Sequence, residues 1–250
     1  MTLPDESGFY IGYHPNAPAD TARTGRRLIV ALVGGAAVLG ALIASRQPRA
    51  DPSVFEYGIE RSFEGQIVEH PYPALLVPRP GITDRDVAYS RYLLVAQGKH
   101  GAQELVKGLD GGGAELKGSL IYRDGETMVE VAHAASKGAA SAPPIQTEIL
   151  GRFILHGEIV DSKCYLGVMR PGSGAVHRGC ATRCLSGGAP PLLIVHDATG
   201  PAAFILLTGP DGAPLPKEKL LKLVATPVVV VGQVLREGDV LMMRIEEISD

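Results

Sequence analysis

Tryptophan is absent from this chain, and aromatic residues are only 5% of it. That leaves little material for the stacking platforms that bind bases or sugars. The net charge is −3, and no lysine- or arginine-rich run is present, so the chain is read as binding no nucleic acid. Cysteine is missing everywhere except one short stretch, which holds all 3 of them. A disulfide framework spread through the fold is therefore excluded. What is plentiful is glycine, with 31, and proline, with 19. Both favour many short strands joined by turns over long helices.

Residues 28–44, LIVALVGGAAVLGALIA, carry no charge and no polar side chain. As a helix this run spans about 25 Å, the short end for a bilayer core of roughly 30 Å. Arg27 and Arg46 flank it and can reach the headgroups. The segment before it is long for a signal-peptide n-region, and Leu42 is a poor residue near a cut after Ala44. The run is read as an uncleaved transmembrane helix in the bacterial cytoplasmic (inner) membrane. Arg23, Arg26 and Arg27 precede it and Arg46 and Arg49 follow, which points the N-terminus into the cytoplasm. Residues 45–250 are then periplasmic or extracellular. Residues 1–27 read as a cytoplasmic arm, with Tyr10 and Tyr13 as contacts for a membrane neighbour. Residues 45–58 read as a linker.

Beyond the anchor the chain looks duplicated. Gly65, Ile67 and Val68 match Gly157, Ile159 and Val160. Arg79-Pro80-Gly81 matches Arg170-Pro171-Gly172, and YLLVAQG from Tyr92 resembles FILLTGP from Phe204. In KGSLIYRDGETMVEV and GQVLREGDVLMMRI an acidic-Gly pair separates apolar runs, a strong hairpin signal. Short helices are expected at 104–109 and 216–225. The fold class is thus mainly β: one transmembrane helix and two similar small OB-like β-barrel modules, 59–131 and 148–250, each with a short helix. Residues 132–147 read as a flexible linker between them.

The cysteines fall in the second copy only. Cys164, His177, Cys180 and Cys184 give the pattern C-x12-H-x2-C-x3-C. Tyr72 stands where Cys164 would be in the first copy. If 175–185 is helical, His177, Cys180 and Cys184 lie at i, i+3 and i+7 on one face. Gly187-Gly188 would end that helix. A Cys3His set is a four-ligand zinc composition, and thiolates also suit copper or an iron–sulfur centre. Two other readings stay open. One is a disulfide from Cys164 to Cys180 or Cys184, stapling the loop of a structural adaptor. The other is a thiol-redox or Cys-dependent enzyme in which His177 assists. Asp161 is a candidate acceptor for His177. Lys163, Arg170, Arg178 and Arg183 form a candidate basic rim for an anion.

The run GEIVDSKCYLGVMRPG…HRGCATRCLSGGAPP resembles that of a set of bacterial membrane-anchored proteins. They share an FYIGY-type arm, one span and a D-x-x-C…H-x-x-C-x-x-x-C motif. The resemblance covers most of the chain and implies a single-pass protein with an exported domain. It implies no activity or cofactor. With no evident acid–base constellation, the chain is read as an accessory protein rather than an enzyme. Its expected partner is a protein in the membrane or periplasm, such as an exported redox complex.

Overall fold

The computed structural model describes residues 17–46, 53–79, 89–140, 147–197 and 200–249. The arm tyrosines, Tyr10 and Tyr13, lie outside them. The chain forms two compact units, Met1–Asp51 and Pro52–Asp250, each taken by itself.

The first unit is a single helix, α1, Ala19–Arg46. It begins well before the apolar run, so residues 19–27 are helical and not part of an extended arm. Asp20 lies in its first turn and Arg46 in its last, each favourable toward the helix dipole. None of its residues is buried, and it is long and apolar enough to cross a membrane. Its length and composition are compatible with a membrane anchor or a signal sequence.

The second unit is mainly β. Its first sheet contains β1 (Val54–Phe55), β2 (Arg61–Val68), β3 (Ala74–Pro78), β4 (Tyr89–Ala96), β5 (His100–Gly101), β6 (Gly112–Arg123) and β7 (Glu126–Ala139). Strands run in the order β1-β6-β2-β3-β4-β5, and β7 pairs with both β4 and β6. A short helix, α2 (Gln103–Val106), precedes β6. The second sheet is a closed barrel of β8 (Thr147–Asp161), β9 (Pro191–Asp197), β10 (Gly200–Thr208), β11 (Pro227–Glu237) and β12 (Val240–Ser249). Helix α3 (Arg178–Ser186) lies between β8 and β9, and α4 (Lys217–Leu223) lies before β11.

The hairpin signals are met. Asp124 and Gly125 both have positive φ at the β6–β7 turn, the geometry that asks for Asp-Gly. Three expectations change. β7 runs to Ala139 and pairs with β6 as far as Gly112, so residues 132–139 are strand rather than linker. Small side chains permit the pairing, and the paired prolines lie beyond it, outside the described residues. β1 likewise takes up part of the 45–58 linker. The arginines that open the two Arg-Pro-Gly triplets occupy different places. Arg79 follows β3, whereas Arg170-Pro171-Gly172 lies between β8 and β9. The extra length carrying the cysteines is therefore the β8–β9 connection.

Three hydrophobic clusters form the interior. One fills the barrel around Val230 and Met243, and one lies under the first sheet around Leu75 and Leu116. The third joins the sheets: Tyr72, Leu93 and Ile121 from the first pack with Val160, Cys164, Tyr165 and Cys184 from the second. Polar contacts reinforce this seam. Arg79 and Arg91 pair with Asp239 and Glu237 at the β11–β12 turn. Arg123 donates to the Tyr165 carbonyl at 2.7 Å and lies over the Tyr165 ring at 4.1 Å.

Tyr72 also crosses the seam. Its hydroxyl donates to the Leu207 carbonyl at 3.0 Å and accepts from the Leu215 amide at 3.2 Å. Burial pushes its phenol up to about 12, against a small opposing effect of the Leu215 N–H. The folded form thus holds the proton more tightly than the unfolded chain. The associated stability is complete below about pH 10 and is lost as the pH rises toward about 12. Wild type is expected to lose roughly 2 kcal/mol more than Tyr72→Phe across that window, read by urea unfolding at each pH. Equal losses would show that Tyr72 does not carry this dependence.

Candidate metal centre

The site begins where β8 ends. Asp161 is fully buried, and its Oδ1 accepts from the Cys164 amide at 2.8 Å. An aspartate three residues before an amide acts here as an N-cap does, turning the chain into the helical turn Cys164–Val168. Gly167 is needed there because a Cβ would meet the Val54 carbonyl oxygen at 2.5 Å. A 3-10 turn, Ala175–His177, then leads into α3. Its C-terminal end is closed by Gly187, whose amide donates to the Arg183 carbonyl at 3.0 Å, and by Gly188 at φ 98°.

This path brings the three sulfurs together. Cys164 Sγ lies 3.7 Å from Cys180 Sγ and 3.8 Å from Cys184 Sγ. All three sulfurs lie within 4.8 Å of one another, and the cysteines are free. A tetrahedral ion with metal–sulfur bonds of about 2.3 Å holds its sulfurs about 3.8 Å apart. The spacing thus suits a single ion.

His177 does not join this group. Its Nε2 lies 3.0 Å from Asp161 Oδ2, and both residues are buried. With Cys164 they form a second trio within 4.8 Å. The expected four-ligand set therefore divides into two overlapping trios that share Cys164. Asp161 is the acceptor expected for His177, and it holds the Cys164 backbone as well.

The thiols are unequal. The hydrogen bond with Cys184, then burial, then the Asp161 charge push the Cys164 thiol up. The same hydrogen bond from Cys164 pushes the Cys184 thiol down, against its burial. Lys99 donates to Cys180 Sγ at 2.7 Å, and that bond pushes the Lys99 ammonium above the usual lysine value. Sequence reasoning missed Lys99. It lies 81 residues from Cys180, in the β4–β5 turn of the other sheet, and nothing local to it signals the contact.

The basic rim is a correction. Lys163 is 1% exposed and turned inward, donating to the carbonyls of Ala96 and Gly98 at 2.7 and 2.6 Å and pairing with Glu130. Arg170 donates to the Ser53 carbonyl and hydroxyl. Arg178 reaches the Lys222 carbonyl at 3.0 Å, and Arg183 is exposed. Long basic side chains bury their stems and satisfy carbonyls across the seam. Lys163 and Arg170 are thus occupied by protein, and among the described residues Lys99 is the cation that contacts a thiol.

A cleft of about 690 Å³ runs along the seam past Leu185, Gly187 and Ala189 at the end of α3. Neither trio lines it.

No protein-family model, no curated protein and no solved structure matches this chain.

Proposed function

We propose that this chain is a membrane-anchored accessory protein whose exported domain binds one metal ion through Cys164, Cys180 and Cys184. The observation that carries the reading is the sulfur spacing in a buried seam, built from a strand end and a helix that are apart in sequence. The donor set fits zinc, and charge favours a divalent ion. Three thiolates and a divalent cation leave one negative charge, which the Lys99 ammonium at 2.7 Å offsets. A monovalent copper ion would leave more charge uncompensated. Three thiolates leave one tetrahedral corner for an outside ligand. His177 completes the set only by exchanging Asp161 for the metal. When bound, the ion would hold the β8 end and α3 together and polarise whatever takes the fourth corner.

The same proposal takes the two sheets as copies of one five-stranded barrel. Support comes from pairing: β2-β3-β4-β7-β6 and β8-β9-β10-β12-β11 are antiparallel throughout, except for parallel β4–β7 and β10–β12. Glycines add to it. A Cβ on Gly65 or Gly157 would meet a neighbouring-strand carbonyl oxygen at 2.3 Å. Gly118 and Gly232 each sit at a bulge where a Cβ would meet one at 2.2 and 2.1 Å. The copy that carries the site received it in its first connection.

The thiol-enzyme reading ranks second. Its support is the Asp161–His177 pair near Cys164, but Cys164 is 1% exposed and its thiol is raised rather than activated. Elemental analysis of the full chain purified in detergent tests the choice. One divalent metal per chain is expected, with thiols that become alkylatable only after chelation. A metal-free protein whose thiols react while folded would favour the enzyme. An unreduced mass two hydrogens short would favour the disulfide adaptor.

A further inference from the structure

Lys99 and Cys180 are closer than a hydrogen bond to sulfur needs. N–H···O bonds run about 2.7–3.2 Å, and sulfur is the larger acceptor. The Lys99 Nζ to Cys180 Sγ distance is 2.7 Å. One oxygen atom bonded to both would hold nitrogen and sulfur at this separation. We propose that Lys99 and Cys180 are the site of an oxidative Nζ–O–Sγ cross-link that ties the first sheet to the barrel.

Three further observations support it. Cys180 is the partly exposed thiol, while Cys164 and Cys184 are each 1% exposed, so an oxidant in solution meets Cys180 first. The Lys99 segment is fixed from both sides. Lys163 holds the carbonyls of Ala96 and Gly98, and the Lys99 carbonyl packs against Gly187, where a Cβ would lie 1.8 Å from its oxygen. The Gly101 amide also donates to the Gly187 carbonyl at 3.0 Å. The competing product, a Cys164–Cys180 disulfide, asks for more movement. The sulfurs are 3.7 Å apart and must close to about 2.05 Å inside a packed core, with Cys164 pinned by Asp161.

The chemistry uses two equivalents of a hydroperoxide. In the first, the Cys180 thiol gives up two electrons and takes one peroxide oxygen, becoming a sulfenic acid while the peroxide leaves as an alcohol or water. In the second, the Lys99 ammonium releases its extra proton to solvent, one N–H bond and the sulfenic O–H bond break, and the N–O bond forms. The sulfenic oxygen stays between nitrogen and sulfur, and the second peroxide is reduced to an alcohol or water plus one water. Sulfur and nitrogen each lose two electrons. The net change is one oxygen gained and two hydrogens lost. The cross-link removes one of the three thiolates, so oxidation would close the metal site and a bound metal would shield Cys180. That regulatory consequence rests on the metal-site proposal, whereas the cross-link does not.

The test treats the full-length chain in detergent with hydrogen peroxide, with and without zinc, and digests it without reductant for mass spectrometry. The expected product joins the Lys99 and Cys180 peptides with one added oxygen and two fewer hydrogens, and dithiothreitol separates them. Lys99→Arg should lose that product, and Cys164→Ser should keep it. A Cys180 peptide joined to Cys164 with only two hydrogens lost, or a sulfinic Cys180 beside an unmodified Lys99, would overturn the proposal. A cross-link that forms equally well with zinc present would remove the shielding role and leave the cross-link standing.

Discussion

Lys163→Met lowers the thermal midpoint of the β unit, Pro52–Asp250, by about 10 °C, a loss of roughly 3–5 kcal/mol. Methionine keeps most of the volume, so the effect isolates the polar contacts. Lys163 is among the largest fully buried side chains, and its ammonium is shared among two carbonyls and Glu130. Removing it leaves the Glu130 carboxylate, 12% exposed, without its cation and leaves two carbonyl oxygens without their donor. The uncompensated charge is the larger part of the cost, because a buried carboxylate needs a counter-ion. Glu130→Gln placed in the Lys163→Met background should therefore recover part of the loss. A single-variant change under about 1 kcal/mol would mean that the seam does not depend on this side chain. The loss should also loosen the β4–β5 turn that presents Lys99, so the two halves of the seam weaken together.

Cys164→Ser weakens metal binding by at least about 100-fold, more than Cys180→Ser does. Even residues that only support metal ligands cost about 10–100-fold when changed, and a directly bound thiolate costs more. Cys164 stands above the others because it belongs to both trios and is the sulfur that approaches each of the other two. Serine preserves the amide that Asp161 accepts from, so the chain path through the turn is kept. Competition with a chromogenic chelator measures the loss. Stoichiometric metal retained by Cys164→Ser at unchanged affinity would contradict the assignment.

The pattern of residues made some of this legible and hid the rest. The strands around Asp124-Gly125 follow from turn chemistry and alternation, and the helix that ends at Gly187-Gly188 follows from i, i+3, i+7 spacing plus a glycine stop. These are local signals. The convergence of Cys164 on α3 could be suspected from ligand types alone. The division of His177 from the sulfurs could not, because it depends on which way Asp161 turns at the end of β8. Lys99 was invisible for the same kind of reason: its role comes from packing one sheet on another. Lys163 was misread because a lysine near cysteines looks like a surface cation, and only the neighbouring sheet supplies the carbonyls that bury it. The strand at 132–139 was missed because small residues and nearby prolines resemble a linker, while backbone pairing to β6 needs no large side chain. The repeated Arg-Pro-Gly showed the opposite error, a local identity without equivalent position.

X-ray absorption on the chain, purified without chelator or added metal, is the most direct test of the site. Three sulfur neighbours at about 2.3 Å around one ion per chain, with a single lighter fourth ligand, is the expected result. Protein that retains no metal, or an ion surrounded by nitrogen and oxygen alone, would contradict a site made of Cys164, Cys180 and Cys184.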